Sequence, residues 1–177
     1  ALVFVMVGNR LASEIDDTFA GVVSSILTDN KKAHVAIVCP EYTGELNTKL
    51  TKKQARRVHK FGWQDDLGAF YRACDVYLNP FRQGGGITAY LAMREGLPIV
   101  SLAHCDVENY LGREICAADK DAYRARVLEL SSDADARGDL RAAVLERIAL
   151  IPTLSEVPEV LNEVNEHAQE VYSRGQS

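Results

Sequence analysis

Short apolar runs alternate along this chain with segments of helical periodicity. The runs that predict strands cover residues 2–7, 33–39, 58–62, 75–78, 98–102 and 115–118. Continuous apolar runs of this kind are typical of parallel strands that are buried on both faces. The pattern therefore predicts an α/β fold, a Rossmann-like parallel sheet of about six strands with helices on both faces.

The intervening segments carry apolar residues at a spacing of three and four, as amphipathic helices do. Helices are predicted for residues 16–28, 119–131, 139–150 and 154–172, with a short one around 46–55, one from 67 and one ending at Gly96. Asp16 and Asp17 fall in the first turn of the first of these helices, where the helix dipole favours carboxylates. Asp133 and Asp135 lie between two predicted helices, so we interpret this Asp-x-Asp pair as a helix cap and not as a metal site.

Three consecutive glycines, Gly84, Gly85 and Gly86, separate a predicted strand from a predicted helix. Without Cβ atoms they let a ligand approach the main chain, and the first amides of the helix have no internal acceptors. This arrangement predicts an anion site, with the hydroxyl of Thr88 inside the helix and Arg82 on the approach, so phosphate or diphosphate is the expected guest. No lysine follows Gly86 as in the common phosphate loop, and a tight turn that only allows close packing is the alternative interpretation.

Composition narrows the possible classes of protein. The 177 residues fit one domain, and 47% hydrophobic with 25% charged residues is ordinary for a soluble protein. A formal net charge of -5 argues against a nucleic-acid surface, and no apolar run is long enough for a membrane span. Four cysteines without C-x-x-C spacing indicate reduced thiols in a cytoplasmic protein.

The loop after the strand at 98–102 contains His104, Asp106 and Glu108. Ligands of open parallel sheets bind at the carboxyl ends of the strands, so these residues are candidates for ligand contact. A metal site is not expected from them, because residues so close in sequence cannot all point at one ion.

Residues 58–102 carry a series of motifs in a characteristic order. They are Phe61-Gly62, Asp65-Asp66-Leu67, Tyr71-Arg72-Ala73-Cys74-Asp75-Val76, Pro80, the three glycines, Ala92-Met93 and Gly96-Leu97-Pro98-Ile99-Val100. This series resembles the donor-nucleotide half of group 1 glycosyltransferases with the two-Rossmann-domain (GT-B) fold. The resemblance implies residues 1–152 as a nucleotide-sugar-binding domain and residues 153–177 as a C-terminal helix that packs back toward a missing N-terminal domain.

Two positions depart from the family pattern. Retaining members have two glutamates seven residues apart, and Gln83 and Leu91 stand at those positions. Leucine cannot accept a hydrogen bond from a ribose hydroxyl. The loop from Asn79 through Thr88 is instead more similar to that of protein O-GlcNAc transferase and its bacterial relatives, which bind UDP-sugars and invert.

The resemblance also implies which residues bind the donor. An arginine after the first strand, here Arg10, would reach the diphosphate, although the family's following lysine has no counterpart. Trp63, after the third strand, would lie beside the nucleobase, with packing as the alternative. The full set of predicted donor-binding residues is Arg10, Trp63, Arg82, Gln83, Gly84, Gly85, Gly86, Ile87, Thr88 and Glu108.

The function implied by this resemblance is transfer of a sugar from a nucleotide sugar, UDP-linked by preference, to a glycan, lipid or protein acceptor. The enzyme would be of hexosyltransferase type and would need neither a metal nor a cofactor beyond the donor. Turnover would require the N-terminal domain or a partner chain, so no catalytic base is assigned in this chain. Two alternatives stay open: a degenerate domain that serves as a protein-interaction module, and half of a UDP-sugar epimerase or hydrolase.

Overall fold

A computed structural model of the protein describes residues 1–42 and 45–151. Its centre is a parallel sheet in the order β3-β2-β1-β4-β5. The strands are β1 (Leu2–Val7), β2 (Ala33–Val38), β3 (Val58–Phe61), β4 (Val76–Leu78) and β5 (Ile99–Val100). Consecutive residues of β1, such as Phe4, Val5 and Met6, are fully buried, so both faces of the sheet are covered. The predicted α/β class is therefore confirmed.

The expected sixth strand at residues 115–118 is not formed. Leu102 and Ala117 make one isolated parallel bridge beyond β5, with hydrogen bonds from the Ala103 nitrogen to the Ala117 oxygen and from the Ala117 nitrogen to the Ser101 oxygen. A turn at Gly112, whose φ is 87°, brings the chain to this point, and β5 itself is short. The sheet of the described residues thus has five strands rather than six.

Eight α-helices and one 3-10 helix accompany the strands in the described part of the chain, the last three of them after β5. They are α1 (Leu11–Glu14), α2 (Asp17–Asp29), the 3-10 helix (Glu45–Lys49), α3 (Lys52–Ala55), α4 (Leu67–Arg72), α5 (Gly86–Arg94), α6 (Glu108–Leu111), α7 (Lys120–Ser132) and α8 (Ala134–Ala149). None of these helices is long and apolar enough to cross a membrane. The segment predicted as a single helix at 46–55 is divided in two, because Thr51 starts α3 with a capping box that includes Gln54.

The predicted cap between the last two described helices is confirmed, but the predicted start of α8 at residue 139 is wrong. The Asp133 carboxylate accepts from the backbone nitrogens of Asp135 at 2.8 Å and Ala136 at 3.2 Å, so α8 begins at Ala134. The helix then continues through Gly138, the residue directly before the predicted start. The predicted helix at 154–172 and the predicted segment 153–177 lie outside the described residues.

Because all the strands are parallel, their carboxyl ends meet at one edge of the sheet. The chain leaves this edge at Gly8 after β1, at Gly62 after β3, at Asn79 after β4 and at Ser101 after β5. The short helices α1 and α6, which the sequence pattern did not predict, both lie just after strands at this edge.

Candidate functional site

A cavity of about 610 Å³ opens at the carboxyl edge of the sheet. It is lined from one flank of the sheet to the other: Trp63 follows the edge strand β3, Arg10 follows the central strand β1, Gly86 follows β4, and Asp106 follows β5. The remaining lining residues are Val7, Gly8, Asn9, Glu14, Val38, Pro40, Gln64, Leu67, Arg82, Gly85, Ile87, Thr88, Leu91, Asn109 and Tyr110. An elongated ligand can therefore cross the ends of all five strands.

The glycine loop has the backbone conformation that its sequence suggests. Gly85 caps α5 with φ 98°, in the left-handed region that favours glycine. A Cβ at Gly85 would come within 2.6 Å of both Asn79 Oδ1 and Arg82 Nη2. A Cβ at Gly86 would lie 3.0 Å from the Tyr110 ring. Close packing and an unusual φ both require glycine here, so the turn interpretation accounts for part of the motif.

The turn interpretation does not explain why the backbone N–H groups at the start of α5 have no acceptor beside an open cavity. The backbone N–H groups of Gly86, Ile87 and Thr88 form the first turn of α5, where a helix offers no internal acceptor. No group within the described ranges accepts a hydrogen bond from them. Gly85, Gly86 and Ile87 line the cavity, and the Ile87 side chain is 74% exposed. Helix-start amides at an open cavity are a ready anion site.

Arg82 lines the cavity, but its guanidinium is engaged by neighbouring groups of the protein. Its guanidinium donates to Glu14 Oε2 at 2.6 Å, to the Val7 carbonyl at 3.0 Å, to Asn79 Oδ1 at 2.8 Å and to the Tyr77 hydroxyl at 3.3 Å. The arginine side chain is only 7% exposed. It therefore links β1, α1 and the loop after β4, while its contact with a diphosphate stays a prediction.

The hydroxyl of Thr88 is part of the same buried network. It lies 2.8 Å from the Tyr77 hydroxyl and donates to the Gly85 carbonyl at 3.1 Å. Tyr71 donates to the Thr88 carbonyl at 2.9 Å. Burial raises the pKa of Tyr77, which the charge of Arg82 opposes, so the phenol stays protonated and can donate in this network. Thr88 thus fixes the start of α5 from below, although it also lines the cavity.

Arg10 is the accessible cation of the cavity. Its side chain is 79% exposed, and its Nε lies 3.5 Å from Glu14 Oε1. Because Glu14 is shared with the buried Arg82, one carboxylate joins the two arginines. An exposed ion pair of this kind is weak, so Arg10 is available to a stronger anion.

The other predicted residues differ in whether they line the cavity. Trp63 lines the cavity and is 69% exposed, and its indole Nε1 donates to Asp65 Oδ1 at 3.1 Å. Gln83, Gly84 and Glu108 do not line it. The Gln83 carbonyl accepts from the Asp106 nitrogen at 2.7 Å, and the Glu108 carboxylate accepts from the His104 nitrogen.

Sequence reasoning left several lining residues out of the predicted set, among them Glu14, Asn109 and Tyr110. The first belongs to α1 and the other two belong to α6, the two short helices that periodicity cannot detect. The feature that could have identified these residues is their position in the chain shortly after strands that end at the carboxyl edge of the sheet. Within the described chain, no group of three or more His, Cys, Asp or Glu side chains is arranged to hold a metal ion.

Comparison with known proteins identifies relatives of this fold. The family model described as "Glycosyl transferases group 1" matches residues 1–133. No curated protein matches the sequence.

Among solved structures, the glycosyltransferase WaaG, involved in lipopolysaccharide biosynthesis, has a TM-score of 0.73 at 16% identity over 92% of this chain and 46% of its own. The pneumococcal O-GlcNAc transferase GtfA, in complex with UDP and GlcNAc, has a TM-score of 0.69 at 17% identity, over 97% of this chain and 36% of its own. The Thermobaculum terrenum O-GlcNAc transferase has a TM-score of 0.67 at 21% identity, over 84% of this chain and 32% of its own. The chain thus spans a third to a half of the length of these structures.

Proposed function

The chain belongs to the group 1 glycosyltransferase family and has the fold of one half of a GT-B enzyme, and we propose that it binds the nucleotide-sugar donor. The donor we favour is a UDP-sugar, because the similar structure of GtfA contains UDP. We assign the acceptor and the base that activates it to the other half of the enzyme. The free cysteines favour a cytoplasmic location for this half.

One observation carries this proposal: unpaired amides at the start of α5 line an open cavity at the carboxyl edge of the sheet. The diphosphate of a nucleotide sugar would accept hydrogen bonds from Gly86 and Ile87, with Arg10 adding a positive charge. When the glycosidic bond breaks, negative charge grows on the leaving diphosphate. Fixed amides stabilise that charge without reorganising, which is how such sites accelerate group transfer.

The buried network explains how the amides stay in place. Arg82 and Thr88 hold the loop through the Val7 carbonyl and Tyr77, so the binding groups are already oriented before the donor arrives. Trp63 lies on the opposite flank of the cavity and would stack on the nucleobase. A metal ion is not needed in this proposal, because the amides and Arg10 supply the neutralising groups.

Isothermal titration with UDP, GDP and ADP tests the proposal. Ile87→Pro removes one helix-start N–H without breaking an internal hydrogen bond, since the first turn tolerates proline. Ile87→Ala is the matched control, because it shortens the same exposed side chain and keeps the N–H. Loss of one hydrogen bond to a charged group predicts about tenfold weaker UDP binding for Ile87→Pro and little change for Ile87→Ala.

A second candidate function rests on Leu91, which lines the cavity at the position of a family glutamate. With that carboxylate replaced, the domain would serve as a protein-interaction module. Failure of all three nucleotides to bind at millimolar concentration would favour this candidate over the transferase.

A further inference from the structure

We propose that His34 and His59 form a two-histidine site for a divalent transition metal ion of the kind that binds imidazole, such as Ni²⁺, Cu²⁺ or Zn²⁺. Neither histidine lines the cavity at the carboxyl edge of the sheet, and neither takes part in the proposed donor binding. The inference therefore goes beyond the proposed function and does not depend on it.

The register of the sheet brings the two side chains together. β2 and β3 are parallel, and Ala36 of β2 pairs with His59 of β3. Because side chains alternate between the two faces of a strand, His34 lies on the face of Ala36 and therefore on the face of His59. The His34 Nδ1 lies 3.0 Å from the His59 Nε2, although the two residues are 25 positions apart in the sequence.

The separation of these two ring nitrogens fits one metal ion. Two imidazoles bound at about 2.1 Å have their nitrogens about 3.0 Å apart at a right angle and about 3.4 Å apart at a tetrahedral angle. In the structure the two nitrogens share a hydrogen bond, with one ring as donor. On metal binding that proton moves to the other nitrogen of its own ring, and small rotations of both rings direct the two lone pairs at the ion.

The surroundings keep His34 neutral, as a metal ligand has to be. Burial lowers the pKa of His34, and the charges of His59 and Arg57 lower it further. The Arg57 guanidinium donates to the Ala33 carbonyl at 3.1 Å and not to the histidine rings. Its charge opposes any cation, so the site favours ions that bond to imidazole over Mg²⁺ and Ca²⁺, which prefer oxygen ligands.

The pair is accessible from solvent, so an ion can reach it and keep water in its remaining coordination positions. His59 is exposed and His34 is partly exposed. Within residues 1–42 and 45–151 no third His, Cys, Asp or Glu side chain completes a larger metal-binding group. A bound ion would connect β2 to the edge strand β3, which has a neighbour on one side only.

Isothermal titration of the reduced, unaltered chain with Ni²⁺ tests the site. We expect one Ni²⁺ to bind per chain, and excess Mg²⁺ should not displace it. His34→Gln and His59→Gln each remove one of the two ligands, so each should weaken Ni²⁺ binding by about tenfold or more. His104→Gln is the matched control, because it removes an exposed histidine after β5, at the opposite side of the sheet, and should leave the affinity unchanged.

Amide NMR of the unaltered chain locates the ion, because paramagnetic Ni²⁺ broadens the resonances of nearby nuclei. We expect the amides of His34 and His59 to broaden, while that of Gly138 on α8 stays sharp. This measurement decides the proposal even if a variant fails to fold. Absence of Ni²⁺ binding, broadening at the cysteines instead of the histidine pair, or equal affinities in the unaltered chain, His34→Gln and His59→Gln would each overturn it.

Discussion

The guanidinium of Arg82 donates to the carboxylate of Glu14 across 2.6 Å, and both side chains are nearly buried, at 7% and 14% exposure. This contact ties the loop after β4 to the short helix α1, which follows β1. The two walls of the cavity are therefore connected by one ion pair below the site. The same guanidinium also donates to the Val7 carbonyl and to Asn79, so Arg82 joins the glycine loop to the end of β1.

Replacement of Arg82 should destabilise the fold. In Arg82→Gln, Glu14 keeps its burial but loses its buried cation, so the free energy of unfolding should fall by about 3 kcal/mol. Arg82→Lys keeps the charge and loses the fork of donors, and it should give a smaller loss. Urea unfolding measures both values. A change below about 0.5 kcal/mol for Arg82→Gln would mean that the pair does not hold the loop.

The neighbouring glycines should respond differently to the same change. Gly85→Ala meets the positive φ and the crowding by Asn79 and Arg82, so we expect a loss of about 2 kcal/mol or more. Gly84→Ala has only Asp106 Oδ2 nearby, at 3.9 Å, and should cost about 0.5 kcal/mol or less. Thermal unfolding of the two variants makes the comparison, and similar losses would contradict the geometry of the loop.

Gly138→Ala should stabilise the protein. Gly138 lies within α8, and a Cβ there would meet no atom within 4 Å. Alanine restricts the unfolded chain and favours the helix, which predicts a gain of about 0.5 to 1 kcal/mol in the free energy of unfolding. A measured loss would show that the helix does not continue through this position.

The sequence predicted the sheet better than it predicted the site. The runs around Phe4, Ile37 and Tyr77 are apolar because both faces of their strands are covered, and that local signal is sufficient to find them. The side-chain direction of Arg82 was not predictable, since it depends on Glu14, which is 68 residues away in the sequence. Residues 115–118 failed as a strand because pairing with β5 is decided by the tertiary path after Gly112.

The cavity wall likewise contains residues that the local sequence predicts and residues that depend on the tertiary structure. The glycine loop was predicted from its own residues, because three glycines before a helix have a local physical meaning. Asn109 and Tyr110 were missed, since α6 has four residues and no periodicity to detect. Asp106 was a candidate from its place after β5, but only the structure shows that it faces the loop and that Glu108 does not line the cavity.

The histidine pair on β2 and β3 should make stability fall in mild acid. His34 Nδ1 lies 3.0 Å from His59 Nε2. Burial lowers the pKa of His34, and the charges of His59, Arg57 and the amino group of Ala1 lower it further. A lowered pKa in the folded state means that the unfolded chain takes up the proton first as the pH falls below about 6.5. The contribution to stability is therefore present above that pH and is lost below it.

Urea unfolding at pH 7.5 and pH 5 checks this expectation. In His34→Gln the difference in unfolding free energy between the two pH values should be smaller than in the unaltered chain, because one shifted group is absent. Gly138→Ala, which alters no ionisable group, is the control and should keep the full difference. An equal pH dependence in the unaltered chain and His34→Gln would contradict the account.

The most direct test of the donor site observes the backbone amides themselves. Titration of isotope-labelled protein with UDP, followed by amide NMR, reports on each N–H separately. We expect the amide protons of Gly86 and Ile87 to move downfield to saturation, as hydrogen bonding to phosphate requires, while that of Gly138 on α8 stays in place. Saturable UDP binding that leaves the Gly86 and Ile87 amides unshifted would contradict the central claim that the start of α5 holds the diphosphate.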